Sequence, residues 1–315
     1  MQIIRGLHNL QKKHQNCAIT IGNFDGIHKG HQQLIKKLTT QAKQLNIPSV
    51  LVIFEPNPRE YFADKDYGRI ISLRRKYNLL KKMHIDYLLC INFNKKISSL
   101  KAEDFIKQVI NEQIQARYLL IGDDFQFGKH KKGNFELLKK FAAIYNYTTE
   151  KHDSVYHNDQ RISSSLIRQL LQQGNIKLAN FLLGHNIKIE GKVVTGNKIG
   201  KKSLVPTANI NTSHHKLCFT GVFLTKVTIN KNEHYGLTNI GYRPTINDKK
   251  FTVETYILEF NQEIYQQNIK IELIEKIREE QKFNNILKLK EKIQQDIQTA
   301  KAIIKNLNNN TFRNN

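Results

Sequence analysis

Over the first half of the chain, short apolar runs alternate with stretches of helical periodicity. Residues 16–21 (NCAITI) form one such run, and the turn cluster Gly22-Asn23-Phe24-Asp25-Gly26 follows at once. This predicts a buried strand that opens into a loop. From His28 to Leu45, the apolar Leu34, Ile35, Leu38, Ala42 and Leu45 recur at spacings of 3 and 4, the pattern of one buried helix face. Residues 49–54 (SVLVIF) predict a second strand, ended by Pro56 and Pro58. Apolar runs at residues 87–91 and 118–122 each follow a helical stretch. Strands alternating with helices predict an α/β domain with a doubly wound parallel sheet, in which ligands bind beyond the carboxyl ends of the strands. The loops after Ile21, Phe54 and Ile121 are therefore where chemistry is expected.

Between Ser163 and Leu183, the spacing of Leu166, Ile167, Leu170, Leu171, Ile176, Leu178, Phe181 and Leu182 predicts two short helices broken at Gly174-Asn175. The pattern changes after Gly184. Residues 187–194, 221–229, 233–240 and 251–260 are strand-like runs rich in Val, Ile, Thr, Tyr and Phe, parted by turn residues. Consecutive strands without helices between them predict an antiparallel sheet or small barrel. Ile286, Leu289, Ile293, Ile297, Ala300 and Ile304 then mark an amphipathic helix ending near Leu307, and residues 308–315 are expected to be a disordered tail. The expected division is 1–183, 184–307 and 308–315.

Composition adds bounds to this picture. A length of 315 residues fits two domains, each large enough for its own core. With 39% hydrophobic and 24% charged residues the chain is too apolar to be wholly disordered, and it has no membrane-spanning run. The N-terminus lacks a basic flank followed by a sustained apolar stretch, so no signal peptide is read and a cytoplasmic location is expected. Cys17, Cys90 and Cys218 lie far apart, with neither zinc-ligand nor disulfide spacing. The net charge of +23, from 50 Lys and Arg against 27 Asp and Glu, raises a nucleic-acid partner. The lysines are nonetheless dispersed through every segment beside abundant Asn and Ile, as an AT-rich coding sequence would produce. No localised basic stripe is seen, and no nucleic-acid or membrane partner is expected.

Two segments carry candidate phosphate chemistry. In Gly22–His31, His28 and His31 are spaced i to i+3 on the opening turn of a helix, with Gly30 between them. That turn offers free N–H groups and the positive end of the helix dipole, and two imidazoles there can donate to a phosphoryl group as its charge builds up. A capped helix with two incidental histidines fits the same residues, and no third ligand stands near enough in sequence to favour a metal. In residues 161–168, Arg161 and Arg168 flank Ser163, Ser164 and Ser165 at a second helix start, a good polyphosphate clamp or simply a serine cap.

Together these motifs resemble the bifunctional riboflavin kinase/FMN adenylyltransferase family. The first domain is similar to its nucleotidyltransferase module through G-N-F-D-G-x-H-x-G-H (22–31), F-E-P-x-P-x-E-x-F (54–62), G-D-D-F-x-F-G (122–128) and I-S-S-x-x-I-R (162–168). The second resembles its riboflavin kinase β-barrel through P-T-A-N (206–209), Gly221-Val222-Phe223, N-I-G-Y-R-P-T (239–245), Val253-Glu254 and I-R-E-E-Q-K-F (277–283). The resemblance implies phosphorylation of riboflavin to FMN by ATP, then adenylylation of FMN to FAD with release of pyrophosphate. His28, His31 and Arg168 would act on the α-phosphoryl group and pyrophosphate, with Gly22, Asn23, Phe24, Asp25, Gly30, Arg161, Ser163, Ser164 and Ser165 around ATP. Asp25 fits a turn residue equally well.

For the flavin, the resemblance implies Phe54, Phe62, Asp124, Phe125 and Arg278, although core packing explains the phenylalanines and a helix-capping salt bridge explains Arg278. Glu254 would be the kinase base, though a solvent-facing strand position also suits it. Thr207 and Asn209 would hold Mg²⁺, with Gly191, Lys192, Gly200, Lys201 and Pro206 around the kinase ATP. The family has Gly-Arg-x-x-Gly before P-T-A-N where this chain reads Gly200-Lys201-Lys202-Ser203-Leu204, and His185 stands where arginine is common. These departures leave an alternative, an adenylyltransferase with weakened or lost kinase activity. Class I aminoacyl-tRNA synthetases share H-x-G-H, but P-T-A-N has no place in them. A monomer or weak homo-oligomer is expected.

Overall fold

A computed structural model describes residues 1–62, 67–195, 206–212, 216–244, 249–283 and 285–311. Its packing divides the chain into two units, Met1–Tyr67 with Leu73–Leu166, and Gly68–Ser72 with Ile167–Asn315.

In the first unit, six strands form one parallel sheet: β1 (Gln2–Arg5), β2 (Ala18–Ile21), β3 (Ser49–Glu55), β4 (Tyr87–Asn92), β5 (Tyr118–Gly122) and β6 (Thr148–His152). The order is β1-β4-β3-β2-β5-β6, every pair parallel. All four residues of β2 are buried, as a central parallel strand demands. Sequence reading misses β1, whose four residues carry no strong apolar run, and β6 (TTEKH), whose polar residues suit a sheet edge. The helices include α1 (Lys29–Gln44), α2 (Pro58–Phe62), α3 (Leu73–Lys81), α4 (Lys95–Ser98), α5 (Ala102–Asp104) and α6 (Phe135–Tyr145). A π-helical stretch, Phe105–Ile114, continues α5 and lays Phe105, Ile106, Val109 and Ile110 over Ile19, Val50, Leu89 and Leu119 of the sheet. The short antiparallel pair β7 (Tyr156–His157) and β8 (Gln160–Arg161) precedes α7 (Ser164–Gln172).

The chain moves outward from β2 to β3 and β4 on one side, and from β5 to β6 on the other. The topological switch therefore lies between β2 and β5, which pair at Ala18↔Tyr118 and Ile19↔Leu119. Ligand crevices form beyond the strand ends at such a point. The Gly22–His31 loop leaves β2 there, and Asp123-Asp124 leaves β5.

In the second unit, α8 (Ile176–Leu183) starts at Asn175, whose side chain caps Leu178 N at 3.2 Å, and packs on the strand Asn268–Arg278. Strands β9 (Lys188–Val194), β10 (Ala208–Asn211), β11 (Gly221–Ile229), β12 (Asn232–Pro244), β13 (Lys249–Ile257) and β14 (Asn268–Arg278) close into an antiparallel barrel, in the order β10-β13-β12-β11-β14-β9. β10 and β14 are not anticipated from the sequence pattern. Inside the barrel Thr225, Thr238 and Thr255 are fully buried and pass one hydrogen-bonded chain across three strands, at 2.9 and 2.8 Å. This satisfies hydroxyls that would otherwise be costly to bury. The last helix, α9 (Ile286–Thr311), packs Ile297, Ala300 and Ile304 against Val222, Leu224 and Leu237.

By packing, the two units meet at Leu166/Ile167, with α8 and most of α7 grouped with the barrel. Residues Gly68–Ser72 join the second unit as well, through a parallel bridge between Arg69 and Leu217. The final helix continues past Leu307 through Thr311, into the stretch expected to be a disordered tail. No glycine or proline stops it there, and helix propagation adds one hydrogen bond per residue. No described helix is long and apolar enough to cross a membrane.

Candidate functional site

The segment between β2 and α1 is sharply bent: Phe24, Gly26 and Ile27 all have left-handed φ, at 46, 87 and 48°. Such angles are unfavourable for Phe and Ile, so the bend persists because its surroundings fix it. Phe24 and Ile27 are buried. Gln32 Nε2 donates to Ile27 O at 2.8 Å, Ser164 Oγ to Asp25 O at 2.9 Å, and Lys76 Nζ to Asn23 O at 2.6 Å. The buried Asp25 also accepts from Tyr67 Oη at 3.4 Å.

The bend delivers His28 to the N-cap of α1, where its Nδ1 accepts from His31 N at 3.4 Å. Nδ1 is thereby the unprotonated nitrogen, and Nε2 carries the proton. The two imidazoles stack, 3.7 Å between centroids and 20° between planes, with Phe24 against His31 at 5.0 Å. Two charged imidazoles could not sit so close. Burial lowers the pKa of His28 to about 4, with the Arg161 guanidinium acting in the same direction and Asp124 opposing. Burial also holds His31 well below the usual histidine range, helped by His28 and the ammonium of Lys76. Gly30 is expected to leave room for a ligand, and that space is partly taken by the His28 ring, 3.3 Å from where a Cβ would stand. Gly22 lies similarly close to the Phe24 ring.

Arg161, from β8, reaches Asp123 at 2.9 Å and Asp124 at 3.0 Å, tying the loop after β5 to the β7–β8 hairpin. Ser163 caps α7 by accepting from Leu166 N at 3.2 Å, Ser164 is bound to the bent loop, and Ser165 is exposed. Arg168 belongs to the second unit, where it donates to the Gly68 carbonyl oxygen. The aromatic rings form a connected series over the loops after β3, β4 and β5. Phe62 lies 5.7 Å from Phe93, and Phe93 lies 5.5 Å from Phe54. The series passes through Phe105 and Phe127 and ends with Phe125 stacked on Phe127 at 5.4 Å. Phe54 and Phe125 are half-buried and pack on the core, whereas Phe62 is 69% exposed.

On the barrel, the strand register sets Asn209 opposite Glu254 and Glu254 opposite Asn239, a row across β10, β13 and β12. The flanking Val253 and Thr255 are buried inward, so alternation places Glu254 on the outer face, half-buried. Pro206 and Thr207 are exposed just before β10. Gly191 of β9 lets β10 approach, since a Cβ would meet Asn211 O at 2.5 Å, and its neighbour Lys192 is exposed. Gly200 and Lys201 lie outside the described residues. Arg278 is held by Asp296 of α9: Nε lies 3.0 Å from both carboxylate oxygens and Nη2 lies 2.9 Å from Oδ2.

Sequence reasoning overlooks Lys76, Asp123, Asn239 and Phe93. Asp123 and Asn239 stand inside quoted motifs. Lys76 left a fainter signal, a charge four residues before Leu80 on the inward stripe of α3. Among the described residues no cluster of three His, Cys, Asp or Glu side chains could hold a metal.

A histidine pair at the switch point of a parallel sheet, joined in one chain to a closed barrel that carries Glu254 between Asn209 and Asn239 on its outer face, defines a two-module phosphotransfer enzyme. The sequence profile of FAD synthetase matches residues 10–166, and that of riboflavin kinase residues 183–304. The bifunctional riboflavin kinase/FMN adenylyltransferase of Haemophilus influenzae is 40% identical over 96% of this chain and 99% of its own. That of Escherichia coli K12 is 36% identical over 96% and 97%. A solved structure described as a macrolide-efflux protein from Streptococcus pneumoniae, 26% identical, superposes with a TM-score of 0.76 over 95% of this chain and 98% of that one. The chain belongs to the bifunctional riboflavin kinase/FMN adenylyltransferase family.

Proposed function

We propose that the two reactions of this enzyme, phosphorylation of riboflavin to FMN and adenylylation of FMN to FAD, run at two separate groups of residues. The observation that carries the first assignment is the stacked, neutral His28–His31 pair at the helix opening. An FMN phosphate oxygen attacks the α-phosphorus of ATP, the bond from that phosphorus to the pyrophosphate oxygen breaks, and pyrophosphate leaves. Direct displacement needs no covalent enzyme intermediate, so positioning and electrostatics supply the rate. His28 Nε2–H donates to the α-phosphoryl oxygens as their charge grows, with His31 beside it. Arg161 and the serines opening α7 receive the departing phosphates. The exposed Phe62, with Phe54, Asp124 and Phe125, faces the flavin.

For the kinase reaction, Glu254 takes the proton of the riboflavin 5′-hydroxyl, whose oxygen attacks the γ-phosphorus while ADP leaves. The Thr207 hydroxyl and the Asn209 amide are hard oxygen donors, Asn209 standing opposite Glu254 in the strand register, a set that fits Mg²⁺. When bound, the ion neutralises phosphate charge. Arg278 acts indirectly, by fixing the end of β14 against α9. The enzyme works in the cytoplasm, as a monomer or weak homo-oligomer.

The test separates flavins after incubation with Mg-ATP and either riboflavin or FMN. His28→Ala is expected to abolish FAD formation and spare FMN formation, and Glu254→Gln to do the reverse. Equal loss of both activities in both folded variants would refute the two-site assignment.

A further inference from the structure

Lys76 is 8% exposed, although lysine is almost never buried without a partner or purpose. It lies on α3 four residues before the buried Leu80, on the face that an apolar residue would ordinarily fill. Its Nζ donates to Asn23 O at 2.6 Å, a short charge-assisted bond into the middle of the bent loop. The tethers that Gln32, Ser164 and Tyr67 give this loop come from neutral side chains. Among these four tethers that of Lys76 is the cationic one, and charge-assisted hydrogen bonds are the stronger kind. Its charge also reaches the histidine pair, where it opposes protonation of His31.

We propose that Lys76 is a positioning residue for adenylyl transfer, fixing the strained Gly22–His28 loop through the Asn23 carbonyl so that the His28–His31 pair meets the phosphoryl group in register. The proposal rests on the reading that this pair serves FAD formation. Displacing a catalytic pair by about 1 Å costs on the order of 100-fold in rate. Lys76→Met keeps the stem and its packing and removes only the ammonium, while Lys76→Arg keeps a buried cationic donor.

The experiment measures kcat and the ATP KM for FAD formation from FMN, with thermal unfolding of each full-length variant. Lys76→Met is expected to lose roughly 100-fold in kcat, with the ATP KM changed less than about threefold and the unfolding midpoint nearly unchanged. Lys76→Arg is expected to recover most of the rate. A Lys76→Met enzyme within about threefold of wild type in kcat overturns the proposal. So does equal loss in both variants with a parallel fall in melting temperature, because packing alone would then explain it. Should Lys76→Met fail to fold, Lys76→Arg decides alone: a kcat within about tenfold of wild type supports the role and a 100-fold loss overturns it. His28→Ala separates the premise from the proposal. If it still makes FAD, the histidine reading fails; if it is inactive while folded Lys76→Met is active, only the Lys76 proposal fails.

Discussion

Removing Asp296 isolates what the end of β14 contributes to the barrel. Its carboxylate accepts from Arg278 Nε at 3.0 Å on both oxygens and from Nη2 at 2.9 Å. The two side chains are 5% and 15% exposed, so neither is well solvated. Asp296→Ala would leave the guanidinium one described hydrogen bond, to Glu279 O at 3.0 Å, and the face of Phe283 at 5.8 Å. Breaking a buried ion pair from one side costs about 3–5 kcal/mol, because a desolvated charge is orphaned. Arg278 keeps 15% of its side chain exposed, so the lower figure, about 3 kcal/mol, is expected. At roughly 2–4 °C per kcal/mol for a domain of 150–250 residues, the barrel's unfolding midpoint should fall by about 6–12 °C. Calorimetry on the whole chain reads this, with FAD formation from FMN as the control that the first unit remains intact. Arg278→Ala combined with Asp296→Ala should be less damaging than the two single changes added together, because no charge is then left alone. A fall under about 1 °C for Asp296→Ala, or strict additivity in the double variant, would refute the reasoning.

The structure sets two further expectations. Folding keeps His28 neutral down to about pH 4, whereas the unfolded chain protonates it near 6.5, so the unfolded state binds more protons between these values. The stability of the first unit should therefore be fully present above pH 6.5 and fall as pH drops towards 4, by up to about 1.4 kcal/mol per pH unit from this residue. Denaturant midpoints across that window measure it, and His28→Gln should flatten the slope. Separately, a Cβ at Gly241 would lie 2.2 Å from Glu280 Oε1, the carboxylate that accepts from Tyr242 N at 3.0 Å. Gly241→Ala should evict Glu280 and lower barrel stability by about 1–2 kcal/mol; an unchanged midpoint together with unchanged FMN formation would contradict that contact's importance.

The sequence by itself determined the parallel sheet, the strand-rich second module and the H-x-G-H turn, because these depend on neighbours. Periods of 2 and 3.6 fix which residues can be buried together, and glycine with proline marks where the backbone turns. It also placed His28 and His31 on one helical turn, since i to i+3 spacing is local geometry. The strands β1 and β6 were not legible, because a short run and a polar edge carry little pattern of their own. Tertiary structure alone decided that Gly68–Ser72 packs with the barrel and that Arg278 answers to Asp296. It alone brought Asp123 to Arg161 across 38 residues and Lys76 to Asn23 across 53. Those pairings arise when distant segments are folded onto one another. Their energies depend on burial and direction, which a linear order of residues does not contain.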